Sequence, residues 1–250
     1  MKTVAIIPAR YASTRFPGKP LALLDGKPII QRVYERVSSL IPDTYVATDD
    51  ARIQSAVQTF GGQVIMTSPD HQSGTDRCEE AVAQLASSVD VVLNIQGDEP
   101  FVQHAQIEQL LSCFDSPRTD IATLGVAFGP QASFDTIANP NSPKVVLDSE
   151  GFALYFSRSV IPYLRGVDQE QWAQSHPFIK HLGMYGYRRQ VLARITQLSP
   201  SVLERCESLE QLRWLEAGYK IKVALTQHET IGIDTPEDLL KAQEYLQKQQ

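Results

Sequence analysis

Short apolar runs alternate with stretches whose apolar residues recur every three to four positions, and this alternation fills the first half of the chain. Val4 to Ile7 is an unbroken apolar run, short enough for a buried strand. Ile29, Val33, Val37 and Leu40 share one helical face, and Pro28 suits the first position of that helix, where no amide donor is needed. Thr44 to Thr48 predicts a strand, 51–60 a helix stopped by Gly61-Gly62, and 63–66 a short strand. Ser73-Gly-Thr-Asp76 has the form of a capping box and opens a helix through 86. A strongly apolar strand follows at 89–95, then a helix at 104–114. Alternation of this kind predicts a parallel sheet with right-handed crossovers.

The pattern changes in the second half. Residues 121–128 predict a strand. Lys144 to Asp148 and Phe152 to Phe156, joined by Ser-Glu-Gly, predict an antiparallel hairpin. With no helix between them, these runs form an insertion at one edge. A bare hairpin edge is a liability unless paired, so a contact between two copies is expected there. Residues 165–180 form a connector with Trp172 as its apolar anchor. A strand at 181–187, helices at 189–198 and 206–217 and a last strand at 220–225 follow. Thr235, Pro236 and Asp238 fit the N-cap, N1 and N3 positions of a terminal helix. The expected class is α/β, Rossmann-like: a mostly parallel sheet flanked by helices, with a small antiparallel β-rich insertion, in one domain spanning 1–250.

Composition narrows the partners. A net charge of -6 argues against bulk nucleic-acid binding, so an anionic ligand has to be met by local cations. Cys78, Cys113 and Cys206 are odd in number and far apart, which fits reduced thiols rather than a disulfide frame or a zinc site. No window approaches the ~20 apolar residues of a membrane span, and the first apolar run leads straight into charge. A soluble, cytoplasmic protein is expected, with no membrane partner.

The loop after the first strand carries the chemistry. It holds Arg10, Arg15 and Lys19 with no acidic residue between them, interspersed with Ala9, Ala12, Ser13 and Gly18, which let backbone approach a ligand closely. Cations on a small-residue loop at the carboxyl end of a parallel sheet suit a polyanion, and three of them suit a triphosphate. Neither the P-loop nor the dinucleotide glycine pattern is present, which points to nucleotidyl transfer. Asp98 ends a buried strand, where it serves either as a hard-oxygen ligand for Mg²⁺ or as a plain strand-end cap. Gln96 faces the same way if that strand continues, whereas Glu99 points elsewhere. Asp234 either binds metal or flanks the cap at Thr235. Ser73, Gly74 and Arg77 open a helix whose backbone donors suit a base or ribose, Arg77 being otherwise a solvated helix charge.

Residues 7–19, Ile-Pro-Ala-Arg-Tyr-Ala-Ser-Thr-Arg-Phe-Pro-Gly-Lys, resemble the signature of the CMP-sugar synthetases that activate acidic sugars. The likeness continues through Asp70-His-Gln-Ser-Gly-Thr-Asp-Arg77, Asn94-Ile-Gln-Gly-Asp-Glu-Pro100, Tyr155-Phe-Ser-Arg158, His181-Leu-Gly-Met-Tyr-Gly-Tyr187, Leu209-Glu-Gln-Leu-Arg213 and Gly232-Ile-Asp-Thr-Pro-Glu-Asp238. The resemblance implies transfer of CMP from CTP to an acidic eight-carbon sugar, 3-deoxy-D-manno-octulosonate (Kdo), with release of pyrophosphate, in lipopolysaccharide biosynthesis. It implies a homodimer, Mg²⁺ on Asp98 and Asp234, and a nucleotide site of Ala9, Arg10, Ser13, Lys19, Ser73, Gly74, Arg77 and Gln96. Arg10, Lys19 and Asp98 take the catalytic roles. Arg15, Arg158, His181, Tyr185, Glu210 and Gln211 surround the sugar. Without the resemblance, His181 reads as a satisfied structural histidine and Tyr185 as a core aromatic competing with Tyr187. The implied division is a nucleotide-binding part at about 1–118, a sugar-binding and dimerisation part at about 119–225 and a closing segment at 226–250. A synthetase for 8-amino-Kdo or sialate is the near alternative. Enzymes that guanylate a cofactor or cytidylate a sugar-alcohol phosphate share the first motif but not Tyr155 to Arg158 or His181 to Tyr187. A dead nucleotide-binding regulator should have lost one of the two aspartates, and both are present.

Overall fold

A computed structural model describes residues 1–12, 15–85, 88–229 and 232–248. The first stretch runs β1 (Thr3–Pro8), the short β2 (Leu23–Leu24) and β3 (Lys27–Pro28), α1 (Ile29–Ser38), β4 (Thr44–Thr48), α2 (Ala51–Thr59), β5 (Val64–Met66), α3 (Gly74–Ala83), β6 (Val91–Asn94) and α4 (His104–Ser112). Then come β7 (Ile121–Ala127), α5 (Phe134–Ala138), β8 (Lys144–Leu147), β9 (Ala153–Ser157), α6 (Trp172–Ser175) and β10 (Ile179–Arg188). The chain closes with α7 (Arg189–Ile195), α8 (Val202–Glu207), α9 (Gln211–Glu216), β11 (Ile221–Thr226) and α10 (Pro236–Gln247). The α/β class and the antiparallel β-rich insertion are as expected.

Two compact units share these elements, and both are discontinuous in sequence. One comprises Met1–Ile107, Tyr187–Thr196 and Thr230–Gln250; the other comprises Glu108–Gly186 and Gln197–Glu229. In the first unit, β6, β1, β4 and β5 lie side by side in that order, all parallel. Ala5 of β1 is flanked by Leu93 and Thr44, and Val4 through Ile7 are almost wholly buried, as a strand covered on both faces requires. Helix α1 buries Ile29, Ile30, Val33, Tyr34 and Val37.

Pro28 is the N-cap of α1, not its first helical residue. It is still extended, because it pairs with Leu23 in the β2–β3 ladder, and the helix can begin only one residue later. Leu40 falls beyond the helix end. Ser73 caps α3 as expected, its hydroxyl accepting from the Asp76 amide at 3.1 Å, and the helix ends at Ala83; the expected end at 86 lies outside the described residues. Thr235 and Asp238 form a reciprocal capping box on α10, with Pro236 at the first position.

In the second unit β11 runs parallel to β7, and β7 neighbours β10. The expected hairpin is present: β8 pairs antiparallel with β9 and with β10. Trp172 anchors the 165–180 connector, stacked on Phe178 in a cluster with Ile137 and Ala173. The single helix expected at 206–217 is two, α8 and α9, parted at Ser208, which adopts φ 51°. Sequence reasoning missed α5 and the start of α8 at Val202, although Ser133 and the Ser201–Glu204 capping box carry the signal for each.

Candidate active site

The first unit holds a cavity of about 280 Å³ at the carboxyl ends of β1 and β6. Its floor comes from the two strand ends: Pro8, Ala9 and Arg10 on one side, Gln96, Gly97 and Asp98 on the other. These backbones approach so closely that a Cβ on Gly97 would stand 2.9 Å from the Pro8 carbonyl oxygen. Strand β6 ends at Asn94, so Gln96 reaches the cavity from the following turn rather than from a continued strand.

The basic loop folds back on itself. The Gly18 amide donates to the Tyr11 carbonyl at 3.0 Å, and Gly18 adopts φ 73°, which turns Lys19 toward the cavity. Lys19 Nζ then lies 2.5 Å from Asp98 Oδ2 and 3.2 Å from Asp234 Oδ1. Arg15 reaches the same Asp234 oxygen at 3.1 Å. What brings Asp234 here is backbone: the Ile233 amide donates to the Asp98 carbonyl at 2.9 Å, and the capping box fixes the next residues. Arg10 is exposed and is paired with no carboxylate among the described residues. Ser13 lies outside the described residues.

Helix α3 supplies the remaining wall through Ser73, Gly74 and Arg77. Arg77 is not a solvated charge. It is buried, donating to Thr67 Oγ1 at 2.6 Å and pairing with Asp49 at 3.1 Å. One helical turn on, Glu80 accepts the Ser68 amide at 2.8 Å and holds the His71 ring at Nε2. The Ser68 amide holds the Glu80 carboxyl below its usual range, with His71 assisting against the effect of burial. Sequence reasoning missed His71 and Gln72, which line the cavity just ahead of Ser73. The signal was there: both lie inside the 70–77 motif, three and two residues before the helix start.

The donor set fits a divalent metal. Two carboxylates from segments far apart in sequence converge on one cation, here the lysine ammonium, and hard oxygen ligands of this kind suit Mg²⁺.

The residues expected around a sugar, apart from Arg15, all belong to the second unit. His181 and Tyr185 share a strand face as their spacing demands, with ring centroids 5.4 Å apart. His181 is buried and its Nε2 lies 3.0 Å from Thr123 Oγ1. That hydroxyl has one proton and lies within reach of the Leu182 and Met184 carbonyls, which only accept. The imidazole Nε2–H therefore donates to Thr123, and Nδ1 is left as an acceptor. Burial pushes the imidazole down to about 3, so it is neutral. Burial, with Glu210 nearby, holds the Tyr185 phenol well above its usual value, so it keeps its proton. Tyr187 is fully buried. Gln211 is buried and its Nε2 has no hydrogen-bond partner among the described residues. Glu210 pairs with Arg213 at 2.7 Å. Arg158 donates to the carbonyls of Pro140, Glu207 and Ser208, while its amide and the Ser157 hydroxyl donate to the Glu207 carboxylate. This clasp explains the break between α8 and α9: Arg158 takes the carbonyls at the end of α8.

Comparison with known proteins places the chain. A family model described as cytidylyltransferase matches residues 4–221. A 3-deoxy-manno-octulosonate cytidylyltransferase of Porphyromonas gingivalis is 58% identical over 248 residues, covering 99% of this chain and 98% of that one. An 8-amino-3,8-dideoxy-manno-octulosonate cytidylyltransferase of Shewanella baltica is 47% identical over 251 residues, covering 98% and 99%. Among solved structures, a CMP:2-keto-3-deoxy-manno-octonic acid synthetase complexed with CTP superposes with a TM-score of 0.90 at 43% identity and 100% coverage of both chains. A 4-diphosphocytidyl-2C-methyl-D-erythritol synthase from Anaerococcus prevotii, at 13% identity and a TM-score of 0.62, shares the fold alone. By match length, identity and coverage, this chain belongs to the cytidylyltransferase family.

Proposed function

We propose that this enzyme joins CTP and Kdo to give CMP-Kdo and pyrophosphate. The observation that carries the reading is the cavity lined by Arg10, where Arg15 and Lys19 meet Asp98 and Asp234, in a chain alike from end to end to Kdo cytidylyltransferases. Arg10 and Lys19 face the triphosphate and neutralise charge on the α-phosphate and the departing pyrophosphate; clamps of this kind contribute several kcal/mol in a water-poor site. Ser73, Gly74, Arg77 and Gln96, with Ala9 and Ser13, take the nucleoside. The sugar's anomeric hydroxyl attacks the α-phosphate in line. Asp98 and Asp234 would hold Mg²⁺, which supplies charge neutralisation and orientation of the triphosphate when bound.

For the sugar, neutral His181 offers Nδ1 to a hydroxyl proton, Gln211 Nε2 offers a buried donor, and Glu210 an acceptor. Arg15 or Arg158 is the cation for its carboxylate. Arg158 already spends three donors on backbone carbonyls, so its part is to hold the site's shape as well as to attract charge.

The enzyme works in the cytoplasm as a homodimer in this reading. No described helix is long and apolar enough to cross a membrane. The β8–β9 hairpin presents Leu154, 62% exposed, as a contact. Sedimentation should give a dimer, and Leu154→Arg should shift it toward monomer.

Pyrophosphate release with each of CTP, UTP, ATP and GTP, with and without Kdo, tests the activity. CTP with Kdo should dominate, and Asp98→Ala should reduce it at least ~100-fold. Equal release with UTP, or near-normal release by Asp98→Ala, would sink the reading. The 8-amino sugar is the second reading, motivated by the full-length match to the Shewanella enzymes. Competition between the two sugars decides it: Kdo should have the higher kcat/KM.

A further inference from the structure

Lys19 sits where a metal ion would be expected. Its ammonium touches Asp98 and Asp234 together, at 2.5 and 3.2 Å, and its side chain is only 13% exposed. The only other cation on this pair among the described residues is Arg15, 3.1 Å from Asp234 Oδ1. A divalent ion needs those carboxylate oxygens at about 2.0–2.1 Å for Mg²⁺. An ammonium in hydrogen-bond contact with both occupies the same space and cancels the same charge. Metal cannot take the two carboxylates until Lys19 leaves them.

Leaving is unfavourable while the cavity holds no nucleotide, because the ammonium gives up two charged partners. A triphosphate changes the balance. It offers new anionic partners to a compact charge on a flexible four-carbon stem, in the cavity that Lys19 already lines. We infer that Lys19 is an internal counter-ion that blocks the metal carboxylates and is drawn off them by the nucleotide, so that nucleotide and metal promote each other's binding. The inference rests on the reading that this cavity takes CTP with a divalent metal. Linkage makes the coupling reciprocal and sets its usual range at roughly 5–150-fold.

The test is Mn²⁺ binding followed by the EPR signal of the free ion, corrected for Mn²⁺ held by CTP in solution. It compares the wild type with Lys19→Met and Lys19→Arg, with and without CTP, and no sugar present. Without CTP, wild type and Lys19→Arg should bind Mn²⁺ weakly and Lys19→Met at least ~10-fold more tightly. CTP should raise the Mn²⁺ affinity of wild type by roughly 10-fold or more, and that of Lys19→Met distinctly less. A folded Lys19→Met with wild-type Mn²⁺ affinity overturns the inference. Should that variant not fold, the wild type decides alone: Mn²⁺ affinity unchanged by CTP overturns it equally. If CTP binds yet Mn²⁺ never reaches the protein in any state, the metal assignment of Asp98 and Asp234 fails and takes the inference with it. Failure of CTP itself to bind would overturn the nucleotide reading instead.

Discussion

At Gly97 the chain leaves no space for a methyl group, because the new Cβ would press on backbone, the Pro8 carbonyl, at 2.9 Å. Backbone cannot rotate away as a side-chain tip can. Gly97→Ala should therefore cost about 1–3 kcal/mol, read as a lower urea midpoint, and should weaken CTP binding as β1 and β6 are forced apart. His181 makes a prediction in pH. Its folded pKa of about 3 lies below the ordinary 6.5, so across that window the unfolded chain binds the extra proton. Stability then falls as pH drops from 6.5 toward 3, by up to about 1.4 kcal/mol per pH unit. His181→Gln should lose that share of the acid sensitivity, and urea melts at pH 7.5 and 4.5 will measure it. An equal loss in both proteins would mean the imidazole is not held neutral. His181 was legible in part, since residue type alone reads it as a satisfied structural histidine, and it is buried on Thr123. Gly97 was not, because its meaning comes from the carbonyl that stands against it.

The helix α3 is the clearest case of one element doing two jobs. It presents buried Arg77 and, a turn later, half-buried Glu80, and these grip Thr67, Ser68 and His71. The segment carrying His71, Gln72 and Ser73 is thus fixed to the helix it precedes. Glu80→Gln keeps the size but removes the anion, so the segment should loosen. The KM for CTP should rise roughly 3–10-fold with kcat within about twofold, since hydrogen bonds to charged groups contribute about 1.5–3 kcal/mol and only part is lost. A fall in melting temperature with unchanged KM would assign the pair to stability alone. The α3 and α10 starts were legible because Ser73 and Thr235 act on amides three residues away. The break at Ser208 was not, because Arg158, distant in sequence, claims the α8 carbonyls.

For the whole molecule, charge is the useful measure. The net charge is -6, yet Arg10, Arg15 and Lys19 gather on one loop, so attraction for a triphosphate is local. CTP with Mg²⁺ at 100 times Kd should stabilise the protein by about 2.7 kcal/mol, or roughly 5–10 °C in Tm. UTP, ATP and GTP should give clearly smaller shifts, and equal shifts would deny base recognition. The amino-acid order alone determined the strand–helix alternation, the caps and the composition of the basic loop, because each depends on neighbours within a few residues. Tertiary structure alone decided that Asp234 stands beside Asp98, that Lys19 lies between them, and that Arg77 is buried on Asp49. Those contacts join residues remote in the chain, held by a backbone bond from Ile233 and by the packing of parallel strands, and no local pattern records such meetings.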